Sequence, residues 1–445
     1  MADSKQKFRV AICGAGIGGL TLAVALARYP DIDVQVYESA GKLAEIGAGV
    51  MIWGRTWKIM TTLGLAEPLR RAAGGPADKD IDPDFGFEYR RSDKLEGHSY
   101  FRLSLPFISY LFHRAHFLNV LVDQIPSSIA HLGKRLRAYT QNSPSEPITL
   151  EFADGTTATC DLLVGSDGIK SAVRRCMYEG KAAVTRNAEL LKHIEPRFSG
   201  WVVYRTLVPV EKLTKDGESH RIFHTPMMYC GYRKHVVSYG IAHGKLGNVV
   251  GFYSVPVDEN TKYDGPWVSE VSRDEVVNCY VGWENEVQEL IAPVEKALKW
   301  AIHELRPLPT YVDGRVALLG DAAHAMTPHQ GSGAGQAVED AYVLAGILGD
   351  PSTTRDTLLQ ALQAYDYVRV PFANHVLQGS YASGRMYEFW NVEGADYSKL
   401  PHAITHQWDW VKEETPEQQI ERALKWVQED STSKLKQEVG EGGME

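Results

Sequence analysis

Phe8-Arg9-Val10-Ala11-Ile12-Cys13-Gly14-Ala15-Gly16-Ile17-Gly18-Gly19 is the stretch on which the architecture turns. Its apolar half stops at glycine, the pattern of a buried parallel strand. Ile17, Leu20, Leu22, Val24, Leu26 and Tyr29 then recur among alanines, predicting a helix over 17–29 that packs on a sheet. Val34-Gln35-Val36-Tyr37 makes a second strand, so the chain begins βαβ. Within the G-x-G-x-x-G, Gly14 permits the tight turn, Gly16 lets the backbone approach a pyrophosphate, and Gly19 lets helix and strand pack closely. Unpaired N–H groups at the helix start face the diphosphate. Glu38 closes the second strand, where an acid accepts hydrogen bonds from an adenosine ribose. A glycine triplet alone is only a turn; with strand, helix and acid around it, it reads as a dinucleotide site, for FAD or NAD.

The 445 residues suffice for two domains sharing one boundary, or for one large domain with a lid. A hydrophobic share of 44% with 23% charged residues is ordinary for a globular enzyme. The formal charge of −9 argues against a nucleic-acid surface. No run approaches the ~18 apolar residues that cross a bilayer, and the short polar start, Met1–Lys7, has no secretory apolar region. Cys13, Cys160, Cys176, Cys230 and Cys279 are scattered and never spaced Cys-x-x-Cys, which fits free thiols and a cytoplasmic protein.

From about Asp78 to Ser99 the composition turns polar around Pro83, Gly86 and Gly97, an excursion from the first core. Helical character returns over Phe117–Ile125. Ile148–Phe152 and Asp161–Gly165 flank Ala153-Asp154-Gly155 as a hairpin. From about Lys181 to Pro293, the runs Gly200–Leu207, Arg221–His224, His235–Ala242 and Val249–Val255 predict an antiparallel sheet and a second domain. A parallel-type strand resumes at Val316–Gly320, followed by a long helix from about Gly335 to Leu348. Helical segments from Thr357 to about Val427 close the chain, with a polar last dozen residues expected to fray.

Two further motifs carry chemistry. Leu163-Val164-Gly165-Ser166-Asp167-Gly168, running on to Arg175, is a strand, an Asp-Gly turn and a basic helix; alone it is as readily an ordinary left-handed turn. Val316–Gln336 is more specific. A buried strand ends in Gly320-Asp321, and Pro328-His329-Gln330-Gly331-Ser332-Gly333-Ala334-Gly335 opens a helix. An Asp there can hold a polyol chain, and the helix start can stabilise negative charge on a reduced ring. His324 and His329 could pass for metal ligands, but no third donor sits at useful spacing, so no metal is expected. Gly331-Ser332-Gly333 is no nucleophile elbow either, because Gln330 stands where that motif needs glycine.

In this order and separation the three motifs resemble those of the single-component (group A) flavoprotein monooxygenases of the p-hydroxybenzoate hydroxylase fold. Within them the salicylate hydroxylase branch, including its fungal members, is most similar, over about Phe8 to Phe372. With the element pattern, the resemblance implies an α/β protein. Its Rossmann-like FAD-binding domain is discontinuous (1–80, 100–180 and 294–375). A mainly antiparallel β-sheet substrate domain (81–99 and 181–293) and C-terminal helices with a polar tail (376–445) complete it. By similarity, Gly14, Gly16, Gly19 and Glu38 bind the ADP half of FAD. Arg114, in His113-Arg114-Ala115-His116, matches an arginine near the cofactor. Asp167 would contact flavin or nicotinamide, Asp321 the ribityl chain, and Gly331, Gly333, Ala334 and Gly335 the isoalloxazine. The chain departs from the pattern at Trp53-Gly54-Arg55, where relatives often carry Pro-Asn after the Gly47-Ala48-Gly49 turn. It departs again at Tyr239-Gly240, where many carry Tyr-Pro. Both changes leave the substrate open.

The resemblance implies FAD as bound cofactor, NADH or NADPH and O2 as co-substrates, and oxygen insertion into a small phenolic acid through a flavin C4a-hydroperoxide kept from water. His329 looks like the histidine set against the substrate hydroxyl and is read as general base, the alternative being a histidine that braces backbone. Arg205 could be an ordinary exposed arginine on its strand. Relatives place one there facing the ring, where its fork suits a carboxylate or phenolate. Tyr239 matches a pocket tyrosine. Ipso hydroxylation of salicylate or a related hydroxybenzoate with loss of CO2 is the expected reaction. Ring or dearomatising hydroxylation without CO2 loss, a flavin oxidoreductase without oxygen insertion, and a merely NAD(P)H-using flavin binder stay open. So does the choice of monomer or homodimer; no nucleic-acid or membrane partner is expected.

Overall fold

The computed structural model describes residues 6–43, 49–72, 86–104, 109–143, 145–241, 244–258, 261–390 and 397–441. Phe8–Cys13 lies inside a six-stranded sheet. The order is Val312–Asp313, Val316–Leu318, Leu162–Gly165, Phe8–Cys13, Ile32–Tyr37 and Ala130–His131, parallel throughout except for the first pair. The central runs are apolar because helices cover the sheet. The helix Ile17–Leu26 stops one turn before Tyr29 and lies against the helix Gly333–Gly349. A Cβ on Gly18 would come within 3.3 Å of the Ala337 Cβ, so glycine sets how closely the two helices approach.

The second sheet has eight strands. They run Val268–Ser272, Lys296–Glu304, Arg197–Pro209, Leu246–Ser254, Lys234–Ile241, Met227–Gly231, Gly86–Arg91 and His98–Ser104. All neighbours are antiparallel except Met227–Gly231 beside Gly86–Arg91. The excursion expected near 78–99 is therefore a pair of edge strands that runs on to Ser104; its residues 78–85 lie outside the described residues, as do Gly47, Ala48 and Ala242.

Three expectations are corrected. Arg221–Phe223 is a turn of 3-10 helix, not a strand: the His220 ring caps it, accepting from the Ile222 N–H at 3.3 Å. The strand in that region is Met227–Gly231, buried at all five positions. Ile148–Phe152 pairs with Thr157–Cys160, while Leu162–Gly165, buried throughout, leaves the hairpin for the parallel sheet. Lys296–Glu304 pairs with Arg197–Pro209, so the chain returns to the first sheet after residue 304 rather than at 294.

The helix Leu358–Tyr387 links the two cores. Leu358 to Ala373 pack with the parallel-sheet core, whereas Val376 and Tyr387 pack with Tyr89, Met228 and Cys230 of the larger sheet. The last helix, Pro416–Glu441, continues through most of the tail expected to fray. All five cysteines are free. Among the described residues, no helix is long and apolar enough to cross a membrane.

Candidate active site

Gly14 has φ +107°, and a Cβ there would sit 2.3 Å from the Ser166 carbonyl oxygen. At Gly19 it would sit 2.0 Å from the Gly14 oxygen. Only hydrogen fits at either position, and Ser166 Oγ binds the junction by donating to the Gly14 carbonyl at 2.7 Å. Gly16 differs: a Cβ would meet nothing within 4 Å, so open space lies before the helix start, as a pyrophosphate requires. Glu38 is fixed beside this space, its Oε2 accepting from the Ala15 N–H at 2.8 Å and its Oε1 from the Ala40 N–H at 2.7 Å.

Asp167 follows the strand Leu162–Gly165 and is tied into the next helix start. One oxygen accepts from Ser171 Oγ, and the other from the N–H groups of Ala172 (2.7 Å) and Val173 (3.2 Å), at the start of the helix Ala172–Thr185. Burial pushes this carboxyl up, and those bonds counteract it. Its carboxylate thereby caps that helix.

Asp321 is exposed at the start of Asp321–His324, just after Gly320 (φ +59°). Behind it stands a buried network that sequence reading missed. Asp340 accepts from the Gly320 N–H at 2.9 Å, His324 Nε2 at 2.5 Å and Arg369 Nε at 2.7 Å. Burial pushes Asp340 up, but His324 and Arg369 outweigh it and hold the carboxyl at about 2. Arg369 also donates to Gln336 (2.8 Å) and Gln419 (2.9 Å), and Glu339 accepts from Arg55 at 2.9 Å. This explains Arg55, one of the chain's departures, and places His324 in the network. Among the described residues, no three His, Cys, Asp or Glu side chains group as metal ligands.

Arg114 opens the helix Arg114–Val122, directly after Ser109–His113, the strand paired with Gly49–Trp53. That pair faces the glycine loop: a Cβ on Gly331 (φ +63°) would lie 3.6 Å from the Trp53 ring and 3.7 Å from Met51 Sδ. One on Gly335 would lie 2.9 Å from Thr56 Oγ1. Gly333 and Ala334 form the first turn of Gly333–Gly349.

His329, 9% exposed, sits in the turn Pro328–Gln330 just before that loop. Its ring packs against Trp201 (centroids 4.7 Å), Phe252 (5.2 Å) and the backbone of Gly384, where a Cβ would lie 2.5 Å from the imidazole. Neither ring nitrogen has a hydrogen-bond partner of good geometry among the described residues. Burial, and then the neighbouring His235, hold the imidazole well below its ordinary range; the Ser380 backbone offsets this only in part. Trp201, Val203 and Arg205 alternate onto one face of the larger sheet. Register places Arg205 opposite Val250 and Val250 opposite Val237, with Tyr239 opposite Asn248, so Arg205 and Tyr239 share that face with Trp201. Arg205 is half-buried with no hydrogen bond or ion pair among the described residues; burial lowers its pKa and the Tyr239 phenol beside it raises it. Burial pushes the Tyr239 phenol up, with Arg205 and Asn248 opposing. Phe87 stands edge-on to it at 6.4 Å. A surface hollow of about 520 Å³ beside Pro68 and His116 contains none of these residues.

A glycine cradle open at Gly16, an acid beside it, an exposed Asp at a second helix start and a β-sheet covering the glycine loop define a flavin-dependent oxidoreductase. The family profile described as an FAD binding domain matches residues 7–202 and 260–380. Salicylate hydroxylase from Pseudomonas putida is 37% identical over 422 residues, 92% of this chain and 93% of the relative. A 6-methylsalicylate 1-monooxygenase from Aspergillus terreus is 36% identical over 86% of this chain and 84% of its own. Among solved structures, a salicylate hydroxylase substrate complex matches with a TM-score of 0.80 at 33% identity, covering 94% of this chain and 98% of that one. The chain belongs to this family of FAD-dependent aromatic monooxygenases, in its salicylate hydroxylase-like branch.

Proposed function

We propose that the protein hydroxylates salicylate or a closely related hydroxybenzoate at the carbon bearing the carboxylate, with O2 and NADH or NADPH, releasing CO2 and a catechol or hydroquinone. The observation that carries the reading is a buried His329 with unsatisfied ring nitrogens, packed on the sheet face that bears the unpaired Arg205 and Tyr239. Gly14, Gly16, Gly19 and Glu38 hold the ADP end of FAD, Arg114 and Asp321 its middle, and Gly331 to Gly335 its ring. Bound FAD, once reduced, supplies the activation of oxygen. The chain's own residues do the rest. Arg205 offers two parallel N–H groups to the substrate carboxylate or phenolate. His329, held neutral, takes the phenol proton. That raises electron density ortho and para to the oxygen, and in a 2- or 4-hydroxybenzoate one such carbon carries the carboxylate. Trp53, Phe87 and Trp201 keep water away.

A panel of hydroxybenzoates scored for NAD(P)H consumption and product mass tests this. Coupled consumption with a hydroxylated product is expected for salicylate or a near analogue. Consumption that yields only H2O2 across the panel would overturn it.

A further inference from the structure

Behind His329 lies a buried acid–base pair that the reading above does not use. Glu388 is fully buried. Its Oε1 accepts from His235 Nδ1 and from Trp201 Nε1, each at 2.9 Å; its Oε2 accepts from Ser254 Oγ and, at 3.4 Å, from Trp390 Nε1. With Nδ1 donating to Glu388, the His235 proton resides there and Nε2 is left as a bare acceptor. That Nε2 is buried and has no hydrogen-bond partner among the described residues. The ring is locked, stacked on Phe252 with centroids 4.2 Å apart. The imidazole of His329 lies next to it, at 5.4 Å between centroids, and its nitrogens are also unsatisfied. No hydrogen bond joins the two rings in this structure; a turn of the His329 ring brings one of its nitrogens within hydrogen-bond reach of His235 Nε2. Two adjacent buried imidazoles, one of them fixed as an acceptor by a carboxylate, form a directed pair.

We propose that Glu388 and His235 are the positioning pair of His329: His235 Nε2 accepts the N–H of one His329 nitrogen, turning the lone pair of the other toward the substrate hydroxyl. This rests on His329 being the base. When the phenol O–H breaks, an N–H forms on His329. The N–H on its far side breaks as one forms on His235 Nε2, and the resulting imidazolium lies against the Glu388 carboxylate. Only protons move. Around the pair stand Tyr387 from the long helix (5.7 Å from His235, 6.3 Å from His329), Cys230 across the strand from His235, and Tyr280, whose hydroxyl donates to the Phe252 carbonyl at 2.9 Å. Arg233 and Arg385 lie beyond, over the Trp390 ring. Glu388 is the carboxylate in contact with His235, and the Ser380 backbone is the competing partner for His329.

Glu388→Gln keeps one acceptor oxygen for Trp201 and His235, turns its amide N–H toward Ser254 Oγ, and removes the charge. With FAD content and KM little changed, kcat at pH 7 is expected to fall about tenfold or more, and the acid limb of the kcat profile to move down by about one pH unit because the imidazolium loses its counter-charge, with rate recovered at high pH as solvent supplies phenolate. Glu388→Asp should fall between. His329→Ala is run alongside. If it behaves as wild type, the base reading fails. If it loses hydroxylation while Glu388→Gln and His235→Gln keep the wild-type acid limb, the positioning pair is overturned and the base stands. Should either variant lose FAD, the wild-type proton inventory in H2O–D2O mixtures decides. Curvature from two protons in flight is expected, and a linear inventory overturns the proposal.

Discussion

Arg205 brings a guanidinium to a half-buried strand position with no ion pair among the described residues, whereas buried Arg174 and Arg369 hydrogen-bond through all three guanidinium nitrogens and Arg55 is paired with Glu339. An unpaired charge in such a place awaits an anion. Arg205→Ala should raise KM for hydroxybenzoates by about tenfold or more and leave FAD content unchanged, as steady-state kinetics and the flavin absorbance would show. Unchanged hydroxybenzoate affinity would make it an ordinary strand residue. His329 gives a second test, through pH. Its folded-state pKa lies well below the 6.5 of a free imidazole, so as pH falls the unfolded chain takes the proton first. Stability is therefore intact above 6.5 and declines below it, by at most about 1.4 kcal/mol per pH unit. Between pH 7.5 and pH 5.5, wild type should lose more melting temperature than His329→Asn; equal losses would show that the ring is not held neutral by the fold. At this scale the sequence revealed individual candidates but not their partners. His329 and Arg205 stand in motifs, whereas Glu388 meets His235 across 153 positions and Arg369 meets Asp340 across 29. No local pattern encodes such pairs.

The strand–turn–helix at Phe8–Leu26 is legible, save for where the helix ends, because every requirement is local: apolar strand, glycines, apolar helix face. Its geometry makes a clean variant. A Cβ at Gly16 would meet nothing within 4 Å, so Gly16→Val should fold with a near wild-type melting temperature and yet remain colourless after incubation with FAD. A yellow Gly16→Val protein would place the diphosphate elsewhere. Strands of the larger sheet were read less well. Met227–Gly231 is buried on both faces and lacks the alternation that marks a half-exposed strand, and Arg221–Phe223 carries strand-like residues but is bent by the His220 cap. Asp161–Gly165 reads as a hairpin arm because a turn lies just upstream; the pairing of its strand with residues 10–13 and 316–318 depends on distant chain.

In the whole molecule, the parallel sheet carries the glycine loops, the larger sheet carries Arg205 and Tyr239, and the helix Leu358–Tyr387 runs between their cores. Its first half supplies Arg369 to the network beneath Gly320–Asp321, and its second half supplies Gly384 against His329, with Glu388 just after its end. One helix thus references both halves of the site to each other, an arrangement the sequence could announce only as helical segments near the C-terminus. If this assembly brings phenolic acid and flavin together as proposed, the oxygen in the product comes from O2, and the carboxylate leaves with it in place. The most direct measurement is therefore turnover of salicylate with NAD(P)H under 18O2, with product mass and CO2 recorded together. One 18O in a catechol and one CO2 per turnover is the expected result. An unlabelled product, or H2O2 with salicylate unchanged, would contradict monooxygenation of salicylate by this chain; a labelled product that keeps its carboxylate would contradict attack at the carboxylate-bearing carbon.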